Sequence, residues 1–300
     1  MARRVFKDGE ERLKDSQPFP IVEAFGYPVS ATNAESRKAL VDRACRFSGV
    51  PCEKFRQYRF GYCSVTYAAA DDKGQRQTYA VCDHRLDGEP LRLVLQEHFG
   101  DQRGKVVLIP EVVLTNPRMS FDYVALLPGS SGGNDEAIVI ETQAIDIRGG
   151  GVGPAWAAWF DGKPELWRSY FTQEATKKGR RDTVAYGVNM ANIFKRLGLQ
   201  AAVKGSFMSG IGVSLYIVMQ HLPFEYMRRR IRFQESSKRP DITFVTFDYT
   251  GKTLHDGTLE FSHVATVGTM LSDYISALTG SSSSDRKDFL DRVKCKAGLA

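Results

Sequence analysis

The sequence predicts a mixed α/β fold: a mixed central sheet flanked by helices, with a small β-rich module carrying four cysteines. Three observations predict it. Apolar runs of strand length, such as KVVLIPEVVL (105–114), FDYVALL (121–127), AIVIETQAIDI (137–147) and VSLYIVM (213–219), are separated by helical patterns and turn residues. Four of the five cysteines fall between Cys45 and Cys82, among short β segments. Hydrophobic residues at 42% and charged residues at 25% of 300 leave ample material for a core.

Taken in order, residues 1–44 read as an N-terminal helical arm around the motif EAFGYP (23–28), with helical spacing over 35–46. Residues 45–90 form the cysteine module, in which GYCSVTYAA and RQTYAVCDH flank a turn at 71–74. The main core is expected over 91–240. It opens with a helix at Leu91–Phe99 that Gly100 closes, followed by the strands above. A loop at 128–134 joins the second strand to the third, and GGGVG (149–153) marks the exit from the sheet. A helix is expected over 183–199. The stretch Gly205–Gln220 reads as a turn into a buried strand, followed by a helix running into Arg228–Arg230. The C-terminal part, 241–300, should hold strands at 242–249 and 258–264, a helix over 265–278 and a serine linker at 281–284.

The start, MARRVFKDGEERLKD, lacks the apolar stretch of a secretory signal, and no run approaches the ~20 apolar residues of a spanning helix. A soluble, cytoplasmic protein with no membrane partner is the expectation. Between Lys177 and Arg239 there are 13 Lys/Arg against 3 Asp/Glu, while the rest of the chain has 28 against 32. Such a belt is the footprint of a phosphate-backbone binder, or else a solvated basic face.

AIVIETQAIDI carries the chemistry. Strand alternation puts Val139, Glu141, Gln143 and Ile145 on one face, so a carboxylate and a carboxamide interrupt an apolar strand. Asp122 interrupts FDYVALL in the same way, one loop upstream. Pairing as a hairpin would bring Asp122 and Glu141 together as ligands for a hard cation such as Mg²⁺, with Gln143 orienting a water. The alternative is that Asp122 begins a turn and Glu141 caps a sheet edge. Glu111, in the preceding strand, is a further catalytic candidate, either for a second metal or as a glutamate facing solvent. Glu97 has a weaker claim, and Asp146 should point to the opposite face.

The spacing Cys45-x6-Cys52-x10-Cys63-x18-Cys82 matches no zinc-finger pattern. Thiols of an intracellular protein stay reduced, which disfavours disulfides; a tetrahedral thiolate site for zinc or iron is the expectation, with plain burial as the alternative. His84 could compete as a ligand, and Cys295 stands apart. Trp156, Trp159 and Trp167 read as packing anchors.

The arrangement Asp122…Glu141-x-Gln143 resembles the PD-(D/E)xK nuclease pattern, with glutamine at the lysine position and Phe121 at the proline position. The motifs EAFGYP, the cysteine series, HFG (98–100), FDYVALL, VIETQAIDI and AYGVN (185–189) resemble the NotI/EagI-like type II restriction endonucleases, over roughly residues 20–220. The resemblance implies a restriction-endonuclease-like core, Mg²⁺-dependent double-strand cleavage at a short G/C-rich palindrome, and one structural iron (or zinc) held by Cys45, Cys52, Cys63 and Cys82. It further implies double-stranded DNA as partner, a homodimer matching the palindrome, and a cognate DNA methyltransferase protecting the host genome. A non-catalytic, metal-stapled DNA-binding regulator is the alternative.

Overall fold

The computed structural model describes residues 18–69, 75–129, 133–148, 151–179, 186–280 and 286–298. The expected turn at 71–74 and serine linker at 281–284 lie outside these residues. So do the first seventeen residues, parts of the 128–134 loop and the GGGVG exit, and Arg180, Arg181 and Ala185.

A six-stranded mixed sheet flanked by helices forms the centre. Its strands are β5 (Val107–Thr115), β6 (Arg118–Leu127), β7 (Glu136–Gln143), β10 (Ser214–Gln220), β11 (Ile242–Thr253) and β12 (Leu259–Thr269), in the order β12-β11-β10-β7-β6-β5. β10 runs parallel to both β7 and β11, while β5–β6, β6–β7 and β11–β12 are antiparallel. The crossover from β7 to β10 contains the helices α4 (Gly153–Phe160), α5 (Trp167–Lys177) and α6 (Met190–Gly210), as a parallel connection requires.

Alternation along the strands separates two cores. Val139, Leu215, Ile217, Met219 and Phe244 face one side, packed with Ile193, Leu197 and Ala201 of α6 and with Phe224 and Met227 of α7 (His221–Ile231). Ile138, Ile140, Val218 and Val245 face the other side, with Leu91 and Val94 of α3 (Glu89–Phe99). Each fully buried side chain of this kind contributes about 1.5–3 kcal/mol. Trp156 and Trp167 are buried in the first core, as packing anchors should be.

The N-terminal stretch differs from the expected helical arm over the described residues. EAFGYP bends between β1 (Ile21–Ala24) and β2 (Tyr27–Pro28), and only then comes α1 (Ala34–Asp42). The bend is built on Phe25 and Gly26, both at positive φ (52° and 92°). A Cβ on Gly26 would stand 2.4 Å from Arg46 Cβ, so only glycine fits. After a short helix α2 (Glu53–Tyr58), β3 (Tyr62–Ala68) and β4 (Arg76–Ala80) join β1 and β2 in a four-stranded sheet, in the order β2-β1-β3-β4. This sheet spans the expected boundary at residue 44, and the central sheet likewise spans the one at residue 240.

Two helix assignments shift as well. β8 (Ile147–Arg148) pairs with a short strand β9 (Gly187–Val188), and α6 begins only after it, at Met190. The helix then continues to Gly210 through residues read as a turn. Its two interior glycines belong to packing: a Cβ on Gly205 would lie 2.9 Å from Ile242 Cδ1, and one on Gly198 would lie 3.2 Å from Ile231 Cδ1. Ala265–Thr269, expected in a helix, extend β12 against β11, and the helix α8 (Leu271–Thr279) starts beyond them. The β-branched Thr266, Val267 and Thr269 favour the ladder. Among the described residues no helix is long and apolar enough to cross a membrane.

Candidate active site

The hairpin places the carboxylates as expected. β6 and β7 pair with Tyr123 opposite Ile140 and Val124 opposite Val139, so the register sets Asp122 beside Glu141 where the ladder ends. Asp122 Oδ2 accepts the backbone N–H of Thr142 at 2.8 Å and its hydroxyl at 3.2 Å. That grip locks the carboxylate against β7. Val139 belongs to the core on the α6 side, so Glu141 and Gln143 emerge from the same face, towards α6.

A cavity of about 470 Å³ opens there, lined by Asp122, Glu141, Thr142 and Gln143 together with Asp83, Lys54, Arg196, Gln200 and Lys204. Lys204 Nζ donates to Glu141 Oε2 at 2.6 Å, and both side chains are only 14% exposed. Glu141 Oε1 is buried with no hydrogen-bond partner. Burial pushes the Glu141 carboxyl up to about 7; the negative charge of Asp122 adds to the rise, and Lys204 opposes it. A buried carboxylate oxygen without a donor, beside a second carboxylate, suits a divalent cation completed by water and phosphate oxygens. Gln143 lines the same cavity, its amide donating to Ala144 O at 2.6 Å.

Glu111 stands outside the cavity. The β5–β6 register brings it near Asp122, but it adopts a left-handed backbone (φ 51°), is exposed and does not line the cavity. Glu97 accepts a hydrogen bond from Thr266 Oγ1 at 2.9 Å, away from the cavity. Asp146, expected on the opposite face, does reach the cavity rim, where it pairs with Arg196 at 3.3 Å. The reason is local: β7 ends at Gln143, so strand alternation no longer governs residue 146.

Cys45, Cys52, Cys63 and Cys82 are all buried and unbridged, while Cys295 is exposed. The chain returns on itself to gather them. Ala44 bridges Pro51, Cys45 N–H donates to Val50 O, and Cys52 N–H donates to Arg43 O, so Cys45 and Cys52 flank one tight loop. Cys63 lies on β3, and Val81 N–H donates to its carbonyl, which brings Cys82 alongside. Cys45 is close enough to raise the thiol pKa of the other three, although burial is the larger cause in each. Among the described residues, however, no group of three or more His, Cys, Asp or Glu side chains is arranged to hold a metal ion. The thiols share a neighbourhood without a finished coordination geometry. His84 instead pairs with Asp87 at 2.7 Å.

The cysteine region touches the cavity directly. Asp83, immediately after Cys82, accepts Ala144 N–H at 2.9 Å. Lys54, two residues after Cys52, donates to Val81 O. Sequence reasoning missed both, although their adjacency to cysteines was visible. From α6, Arg196, Gln200 and Lys204 recur every fourth residue and share one face. That stripe was legible too, but nothing local said that it would meet β7.

Of the basic belt, Lys178 pairs with Glu174, Arg228 with Glu225 and Glu235, and Arg230 lies over the Phe194 and Tyr226 rings. No protein-family model and no curated protein matches the chain.

Proposed function

We propose that this chain is a Mg²⁺-dependent endonuclease of the type II restriction class, cutting both strands of DNA at a short G/C-rich palindrome as a homodimer. On this reading it works in the cytoplasm, beside a methyltransferase that protects the host genome. One observation carries the proposal: Asp122, Glu141 and Gln143 converge at the end of a β-hairpin, in a cavity that also holds Lys54, Arg196 and Lys204. A cation bound there would polarise the scissile phosphate and lower the pKa of a bound water.

The chain's own residues divide the remaining work. Asp122, fixed by Thr142, and Glu141, through its unpartnered Oε1, would hold the cation. Gln143 offers an amide, which cannot take up a proton, to orient the attacking water. The cationic side chains offset the phosphodiester charge, which would otherwise meet a set of carboxylates. Cys52 and Cys82 immediately precede the segments from which Lys54 and Asp83 reach the cavity. An iron or zinc on Cys45, Cys52, Cys63 and Cys82 would fasten that arrangement.

Supercoiled plasmid incubated with and without Mg²⁺ tests the proposal. Discrete fragments with Mg²⁺ alone are expected, with Asp122→Ala and Glu141→Ala each abolishing them while retaining DNA binding. Retardation without cutting would instead favour a DNA-binding regulator, and either variant cutting at near wild-type rate would remove that residue from the site.

A further inference from the structure

Strand β7 presents a neutral Gln143 two residues beyond Glu141, so the strand itself brings no positive charge to the cavity. The charge comes from a distant part of the chain. Lys204, 63 residues downstream on α6, reaches Glu141 Oε2 at 2.6 Å. Its ammonium also lies 5.4 Å from the centroid of the Phe121 ring, next to Asp122 in sequence.

The contact is asymmetric. Lys204 engages one oxygen of Glu141 and leaves the other buried and without a donor. A surface ion pair would leave both carboxylate oxygens open to water. Here one oxygen is fixed, which orients the other.

The backbone on both sides of the contact is rigid. Glu141 lies on β7, opposite Ile217 of β10 in the parallel ladder. Lys204 lies within a 21-residue helix whose buried face includes Leu197, Ala201, Gly205 and Met208. Gly205 lets the helix sit close to the sheet, because a Cβ there would press on Ile242. The packing therefore carries Lys204 to Glu141.

Building on the nuclease reading, we infer that Lys204 is the positioning residue for the metal ligand Glu141. It grips Oε2 so that Oε1 faces the cation, and it supplies the fixed positive charge that β7 lacks at Gln143. Partners of a ligating carboxylate orient it, and losing them costs about 10–100-fold in metal affinity or activity.

The test uses the full chain and two readouts, Mn²⁺ binding by calorimetry without DNA, and plasmid cleavage in Mg²⁺. Lys204→Met keeps an unbranched side chain one atom shorter and removes the charge. It should weaken Mn²⁺ binding and slow cleavage, each by about 10–100-fold. Lys204→Arg should restore most of both. Thermal melting shows whether each variant is folded, and Lys204→Gln serves as a second neutral variant should Lys204→Met unfold. A neutral variant that binds Mn²⁺ and cleaves within about threefold of wild type, well short of the loss expected for an orienting partner, would overturn the inference while leaving the nuclease reading intact. So would a fall in melting temperature with unchanged Mn²⁺ affinity, which marks a purely structural ion pair. Wild-type protein that neither binds Mn²⁺ nor cuts would remove the nuclease reading, and this inference with it.

Discussion

Glu141 concentrates the site's chemistry in one carboxyl group. Its pKa in the folded chain, about 7, stands above the ordinary value of 4.5, chiefly through burial and then through the charge of Asp122. A raised carboxyl pKa favours the protonated form in the folded state. Its contribution to stability is full below about 4.5 and is lost as pH rises through about 7. Glu141→Gln, which cannot ionise, should therefore melt close to wild type at about pH 5 and above it at about pH 8 when no divalent cation is present. Adding Mg²⁺ at the higher pH should narrow the gap, because a bound cation stabilises the carboxylate that the glutamine lacks. Calorimetric melts at both pH values check this, and equal melting temperatures at the higher pH without the cation would contradict the burial argument.

Among the elements, the seating of the N-terminal bend on the cysteine strand is a sharp constraint. Phe25 N–H donates to Gly61 O, and a Cβ at Gly61 would stand 2.4 Å from the buried Phe25 ring. Gly61→Ala should cost about 1–3 kcal/mol, because the enclosed ring cannot move aside cheaply. Denaturant titration measures the loss. Asp83 offers a second test, since the turn after Cys82 holds Ala144 directly beyond Gln143. Asp83→Ala leaves that buried N–H without its partner, a cost of about 1–3 kcal/mol. It should also slow cleavage while Asp122 and Glu141 remain. A variant as stable and as active as wild type would detach the cysteine region from the site.

For the whole molecule, the basic belt and the cysteine region each make a measurable claim. Elemental analysis of dialysed protein should find iron or zinc near one equivalent per chain, distinct from labile Mg²⁺. Finding no transition metal would leave the four thiols as ordinary core. In the belt, Arg228 is held by two glutamates, whereas Lys177 stands exposed in the last turn of α5, open to phosphate. Replacing Lys177 with Ala should lower the salt slope of DNA binding by up to about 0.9, equally on cognate and scrambled duplexes. A loss confined to the cognate duplex would mark base reading instead.

By itself the sequence determined whatever local pattern dictates. The apolar runs located the sheet strands, Gly100 ended α3 as expected, and the interruption of two apolar strands by Asp122 and Glu141 marked the cavity, because such groups are costly to bury without a role. Tertiary structure alone decided what depends on distant partners. Gly205 stood where a turn was expected, but close packing on Ile242 makes it an interior helical position of α6. Glu111 shared the neighbourhood of Asp122 but not its cavity, owing to a backbone twist that alternation does not describe. Lys204 meets Glu141 only because β7 and α6 pack across 63 residues of chain. Periodicity along a chain fixes which face a side chain occupies; which face it then meets is set by the packing of whole elements.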